Sequence, residues 1–489
     1  MKIRTRTATA LTAAAVLATA VATVPPAFAE PVTTAGAVAR GTLDGVWKSD
    51  GYGMVLAIED GRLRLYQTTS ISCLPAGTMK RRGPARGGTV AFGGSGLPTL
   101  TLRADGRDRA RARYTGALTP LGLLRLRALP EQCSKPTPKD PVTTFDVFWT
   151  TFAENYLDFG AKGVDWRAVR DRYRPRVNAN TSDERLFEIL TAMIKPLGDA
   201  HTGVSWDDEH FYFGGRPGTR AHEPLAELRA RVDKAVARNL GAPLRTWANG
   251  EVGYADLPDG LGYLRVTGMA GYTKGAGGLA ADRAELDRAL DAVFTASRVR
   301  DLRGLIVDVR YNTGGYDDLG LRIASRLTGR PYTAYTKRAR NHPADPARFT
   351  RPGTITVKPA RAPIYTGPVA VLTGDLTVSA GETFVMGLME RGPEPLRIGV
   401  ETQGAFSDIL SRTLPNGWQF GLSNEDYRTR AGRTFEGAGI PPHVRTPVFT
   451  DEELDSGRDS ALDEARARLK AAGTDASTAI GTGKGAAAR

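Results

Sequence analysis

Between residues 45 and 130 short apolar runs are set off by turn signals, the pattern of antiparallel strands. Apolar stretches at 54–58 and 63–66 flank Asp60-Gly61, a hairpin signal, and a run at 100–102 leads to a second one, Asp105-Gly106. The pattern predicts a small antiparallel β unit. Residues 134–141, with Pro136, Pro138 and Pro141, read as a linker. The period then becomes helical. Leu186, Ile189, Leu190, Met193 and Ile194 share one helix face, Thr181 with Glu184 can form its capping box, and Gly198 can end it. His201 falls on the loop beyond.

From about residue 250 strands alternate with helices. Residues 262–266, 304–309 and 369–373 have strand character, and the last two are the apolar runs of strands buried on both faces. Leu286, Ala289, Leu290, Val293 and Phe294 mark a helix, and 380–391 reads as another. This is an α/β pattern with parallel connections. Residues 473–489 are small and polar and are expected to be disordered. The expected partition is a small β domain over 30–135, a helical subdomain and connecting segment carrying His201 over 136–250, a catalytic α/β core over 251–450, and a C-terminal helix and tail over 451–489.

Composition narrows the class. With 41% hydrophobic and 24% charged residues in 489, the chain is not of a disordered type. Lys2, Arg4 and Arg6 precede an apolar stretch and Ala27-Phe28-Ala29, so residues 1–29 read as an export signal and the mature protein as secreted. Removing those three charges takes the formal balance from +13 to +10. A basic exported protein can associate weakly with anionic cell wall. No nucleic-acid motif and no membrane span is expected. Cys73 and Cys133, in an oxidising compartment, read as one disulfide closing a loop of about 60 residues.

The candidate chemistry is a hydroxyl nucleophile. None of the five histidines has zinc-site spacing, and composition alone does not choose among them. Residues 369–382 run from buried strand through a short turn into helix, which would set Ser379 at a helix N-terminus, where free N–H groups favour negative charge. A plain N-cap serine fits the same pattern. Gly314-Gly315 follows another buried strand and can turn N–H groups inward, as an oxyanion hole or as an ordinary turn.

Five segments in order resemble the superfamily of tail-specific (C-terminal processing) serine peptidases, the tricorn core and interphotoreceptor-retinoid-binding-protein-like domains. They are Leu197-Gly198-Asp199-Ala200-His201-Thr202, Asp308-Val309-Arg310-Tyr311-Asn312-Thr313-Gly314-Gly315, Thr377-Val378-Ser379-Ala380-Gly381-Glu382, Gly399-Val400-Glu401-Thr402-Gln403-Gly404-Ala405 and Glu436-Gly437-Ala438-Gly439-Ile440-Pro441-Pro442. No lysine occurs between Lys358 and Lys470, so the serine–lysine dyad of the tail-specific branch has no candidate base. The resemblance is to the tricorn-type histidine branch, although Ala200 stands where that branch has a serine. It implies a crotonase/ClpP-like core and a serine endopeptidase acting on peptides or unfolded protein. In that reading Ser379 attacks, His201 takes its proton, Glu436 orients the imidazole, and N–H groups of Ala380 and of Gly314 or Gly315 hold the oxyanion. No metal or organic cofactor is implied. The alternative on the same scaffold is a non-catalytic binder of apolar ligands or peptides.

Overall fold

The computed structural model describes residues 43–94, 96–221, 225–275 and 277–481, so the export-type segment 1–29 and His222 lie outside the described residues. The N-terminal region forms eight antiparallel strands: β1 (Gly45–Ser49), β2 (Met54–Glu59), β3 (Arg62–Thr68), β4 (Cys73–Arg81), β5 (Thr89–Gly94), β6 (Leu97–Ala104), β7 (Arg109–Tyr114) and β8 (Leu121–Leu126). Asp60 and Gly61 both take positive φ between β2 and β3, as a two-residue hairpin of this hand requires. The sequence predicted an antiparallel β unit, but neither its eight strands nor their closure. Strand β8 returns to β1, with Val46 opposite Leu126, and the sheet becomes a closed barrel without an edge. Trp47, Leu63, Met79, Leu102 and Leu123 fill its interior.

Cys73, at the start of β4, is bonded to Cys133, just past the barrel. The 134–141 segment is not a linker to its end. Asp140 accepts a hydrogen bond from the Thr143 N–H and Pro141 occupies the first turn of helix Pro141–Asn155, a position where its missing N–H costs nothing. Helix Asp183–Ile194 buries the five residues expected of its face and closes through a short 3-10 turn on Gly198, at φ 54°. Its cap differs by one residue. Ser182 accepts from the Arg185 N–H, because the Thr181 hydroxyl is already taken by the Asn178 N–H. These helices pack on a four-stranded sheet of residues 203–205, 211–213, 409–413 and 419–423.

The largest sheet has seven strands. Leu261–Val266, Gly304–Asp308, Val369–Thr373, Leu396–Gly399 and Val444–Arg445 run parallel, and Val252–Asp256 with Arg245–Trp247 extend it antiparallel. Its central strands are wholly buried between two hydrophobic clusters, which accounts for their uninterrupted apolar sequence. The one charge among them, Asp308, is matched by Arg310, which also reaches Asp459. Helix Ser460–Gly481 continues past residue 473, where disorder was expected, and residues 482–489 lie outside the described residues. No helix among the described residues is long and apolar enough to cross a membrane.

Candidate active site

Parallel strands Gly304–Asp308 and Val369–Thr373 deliver two turns to the same end of the sheet, and a short pairing of Tyr311-Asn312 with Leu376-Thr377 ties those turns together. Ser379 follows and precedes helix Ala380–Met389. An ordinary N-cap has extended backbone, but Ser379 has φ 57° and ψ −120°, a region L-residues avoid at about 1–3 kcal/mol. The strained strand-to-helix turn has the sharp shape of a GxSxG turn, with Thr377 in the place of its first glycine. Part of the cap remains, since Glu382 Oε2 accepts from the Ser379 N–H at 3.2 Å.

The glycine pair lies against this serine. A Cβ on Gly314 would stand 2.7 Å from Ser379 Cβ and 3.2 Å from its Oγ, and both glycines have positive φ. Only glycine permits that approach. The two N–H groups differ, however. That of Gly314 donates to Asn312 Oδ1 at 3.0 Å, whereas those of Gly315 and Ala380 meet no acceptor among the described residues. Of the expected glycine alternatives, Gly315 is therefore the one with an available donor.

His201 is 7% exposed. Its backbone N–H donates to Asp199 Oδ1 at 2.8 Å, and the Tyr156 hydroxyl donates to the other Asp199 oxygen at 3.0 Å. Burial pulls the imidazole below its ordinary pKa, with Asp199, Asp408 and the Ser407 backbone acting in the opposite sense. The ring is thus held neutral near pH 7, as a proton acceptor must be. Its buried Nδ1 has no partner among the described residues.

Glu436 Oε2 accepts from the N–H groups of Phe406, at 3.0 Å, and Ser407, at 3.3 Å, while the buried Oε1 has no described partner. Burial first, and then the neighbouring Asp199 charge, push this carboxyl well above the usual range, and Lys162 opposes them. The structure thus brings Ser379 onto Gly314, and gathers His201 and Glu436 along residues 406–408. No hydrogen bond among the described residues joins Ser379 to His201 or His201 to Glu436.

Sequence reasoning gave no role to Glu382. It is fully buried, it accepts from Thr402 Oγ1 at 2.6 Å, Gly404 N at 2.6 Å and Ala405 N at 2.8 Å, and burial pushes it up to about 7. Its position three residues after Ser379, as in a capping box, was the available signal. Asp199 and Asp408 were passed over too, and nothing local marks them.

Two family models match this architecture. Residues 260–446 match peptidase family S41, and residues 138–195 match the tricorn protease C1 domain. Residues 260–446 thus carry a peptidase family S41 region, and the chain is a serine peptidase. Among solved structures, a Parabacteroides merdae protein designated a peptidase is 27% identical over 68% of this chain and 97% of its own, with a TM-score of 0.56. Mature CPAF complexed with lactacystin is 14% identical over 68% of this chain and 98% of its own, at TM-score 0.48. The tricorn protease is 14% identical over 86% of this chain and 46% of its own, at TM-score 0.41. A search of curated proteins returned no match.

Proposed function

We propose that this chain is an exported serine endopeptidase whose nucleophile is Ser379, with His201 as general base and Glu436 as the carboxylate partner of the imidazole. The observation that carries the reading is the strained elbow. Ser379 stands at a helix N-terminus, in contact with Gly314 and next to the unengaged N–H groups of Gly315 and Ala380. A tetrahedral oxyanion formed there would meet two backbone donors and the positive end of the helix Ala380–Met389. Ser379 Oγ attacks the scissile carbonyl as its proton passes to a neutral His201, the imidazolium protonates the amine as the tetrahedral intermediate collapses to the acyl-enzyme, and water activated by the same base hydrolyses the ester. The core reads as crotonase-like. Glu436 Oε1 and His201 Nδ1, both buried and without partners among the described residues, are the pair that this mechanism joins.

Export is supported by the signal-type residues 1–29 and by the Cys73–Cys133 bond, which suits an oxidising compartment. The outward arginines of β6 and β7 support weak binding to anionic wall polymer. The test is a fluorophosphonate probe with a fluorogenic peptide. Wild type should be labelled at Ser379, and Ser379→Ala and His201→Ala should each lower cleavage by at least about 10³-fold. Undiminished cleavage by Ser379→Ala would remove the assignment.

A further inference from the structure

The barrel reaches the polar interior of the catalytic part through Tyr52. Tyr52 stands between Gly51 and Gly53 in the turn joining β1 to β2, and all three residues have positive φ. Its carbonyl accepts from the Arg412 guanidinium, and its hydroxyl donates to Glu425 Oε1 at 2.6 Å. Among the described residues no other donor reaches that oxygen. Burial and the Glu425 charge hold the phenol protonated, so it stays a donor.

Glu425 is buried at 2% exposure. Its Oε2 accepts from Lys337 Nζ at 3.1 Å and from the Asp408 N–H at 3.2 Å, and Lys337 Nζ also donates to Asp408 Oδ2 at 2.7 Å. Glu425 is the last of three carboxylates on one stretch of chain. Glu382 takes the N–H groups of residues 404 and 405, Glu436 those of 406 and 407, and Glu425 that of 408. Five successive amides thus end on buried carboxyl oxygens in a low-dielectric setting, where hydrogen bonds are electrostatically stronger than in water. Glu382 also holds the Ser379 N–H.

We infer that Tyr52 is a positioning residue of the peptidase site: the barrel supplies the hydroxyl that fixes Glu425, and through it the 404–408 segment beside Ser379 and His201. The inference rests on the peptidase reading. Removing the hydroxyl leaves a buried carboxylate oxygen without a donor, and Glu425 can relieve this only by leaving Lys337 and the Asp408 amide. The predicted consequence is a displaced segment, which misaligns the base and the nucleophile and leaves distant substrate contacts intact.

The experiment compares full-length wild type, Tyr52→Phe and Gln67→Ala. Gln67 bridges the same two parts through both amide atoms on Thr413, away from the carboxylates. Tyr52→Phe is expected to lower kcat roughly tenfold or more with KM within about twofold, and to slow fluorophosphonate labelling of Ser379 in parallel. Gln67→Ala should keep wild-type kcat. Glu425→Gln, which keeps the side-chain volume, should reproduce the Tyr52→Phe pattern and decides the matter if Tyr52→Phe does not fold. Wild-type kcat and labelling in Tyr52→Phe, or an equal kcat loss in Gln67→Ala, would overturn the inference while leaving the peptidase reading standing. An unreactive wild type would overturn both.

Discussion

The barrel and the catalytic part follow opposite rules for what they bury. Inside the barrel the core is Trp47, Met79, Leu100, Leu102 and similar side chains, and the buried polar side chains of its strands, Ser49 and Gln67, are uncharged. The catalytic part buries Asp308, Arg310, Lys337, Glu382, Glu425 and Asp459, each with hydrogen-bond partners. Burying ions is a poor way to gain stability, since desolvation roughly cancels their attraction. It is a good way to fix direction. The barrel is built for cohesion, and the region around Ser379 is built to hold donors and acceptors in fixed directions.

If that contrast is right, the largest stability effect of a change that touches no reacting group should come from the barrel's covalent staple. The Cys73–Cys133 bond closes a 60-residue separation, worth about 4 kcal/mol in the loop-entropy model. Cys73→Ser/Cys133→Ser should lower the unfolding free energy from urea titration by an amount approaching that figure. At 25 °C without denaturant the surviving folded protein should label at Ser379 at the wild-type rate. A slower rate in fully folded protein would show that the staple also shapes the site, and the two regions would no longer be separable.

The catalytic part predicts a smaller effect with a pH signature. Burial raises the Glu382 carboxyl from 4.5 to about 7, so folding favours its neutral form. Its contribution is fully present below about pH 4.5 and is lost as pH rises through about 7. Asp317, likewise pushed to about 7, adds a fall in the same window, while His201 and His443, both lowered, contribute stability that is lost as pH falls below about 6.5. Comparing wild type with Glu382→Gln cancels those shared terms. The difference in unfolding free energy should change by on the order of 1–3 kcal/mol between pH 4.5 and 7.5, with the variant losing less as pH rises. Parallel pH curves would mean that Glu382 is not buried as the structure has it.

What was legible in the sequence was local. Apolar runs beside Asp-Gly pairs gave the β unit, and the period-3.6 face of Asp183–Ile194 gave its five buried residues. The pairing of β8 with β1 spans about eighty residues and leaves no local trace. The helix cap was misplaced by one because Thr181 and Ser182 are both competent, and only the Asn178 amide decides between them. At the site, Ser379 and the glycine pair were visible because sharp turns demand particular residues. That Asn312 occupies the Gly314 N–H was hidden, as was the bond from Tyr52 to Glu425 across 373 residues. Chemistry that depends on backbone shape shows in sequence, while chemistry that depends on distant partners does not.

The smallest effect concerns the outside of the barrel. Residues 45–126 carry thirteen Lys and Arg against five Asp and Glu. Arg103 on β6 stands directly opposite Arg111 on β7, both exposed, with Arg109 and Arg113 on the same outward side. Like charges in that register repel, and of these four arginines only Arg111 has an ion-pair partner, Asp105, among the described residues. Placing them so costs a few tenths of a kcal/mol, which an anionic polymer along the wall would offset. Arg103→Gln/Arg111→Gln should therefore raise the thermal midpoint by about a degree and elute from immobilised polyphosphate at lower salt. The control is Arg300→Gln/Arg330→Gln, which removes two exposed charges from the catalytic part. Equal loss of retention in both variants would mean that net charge alone governs binding, and that the barrel wall is a solvated surface with no partner of its own.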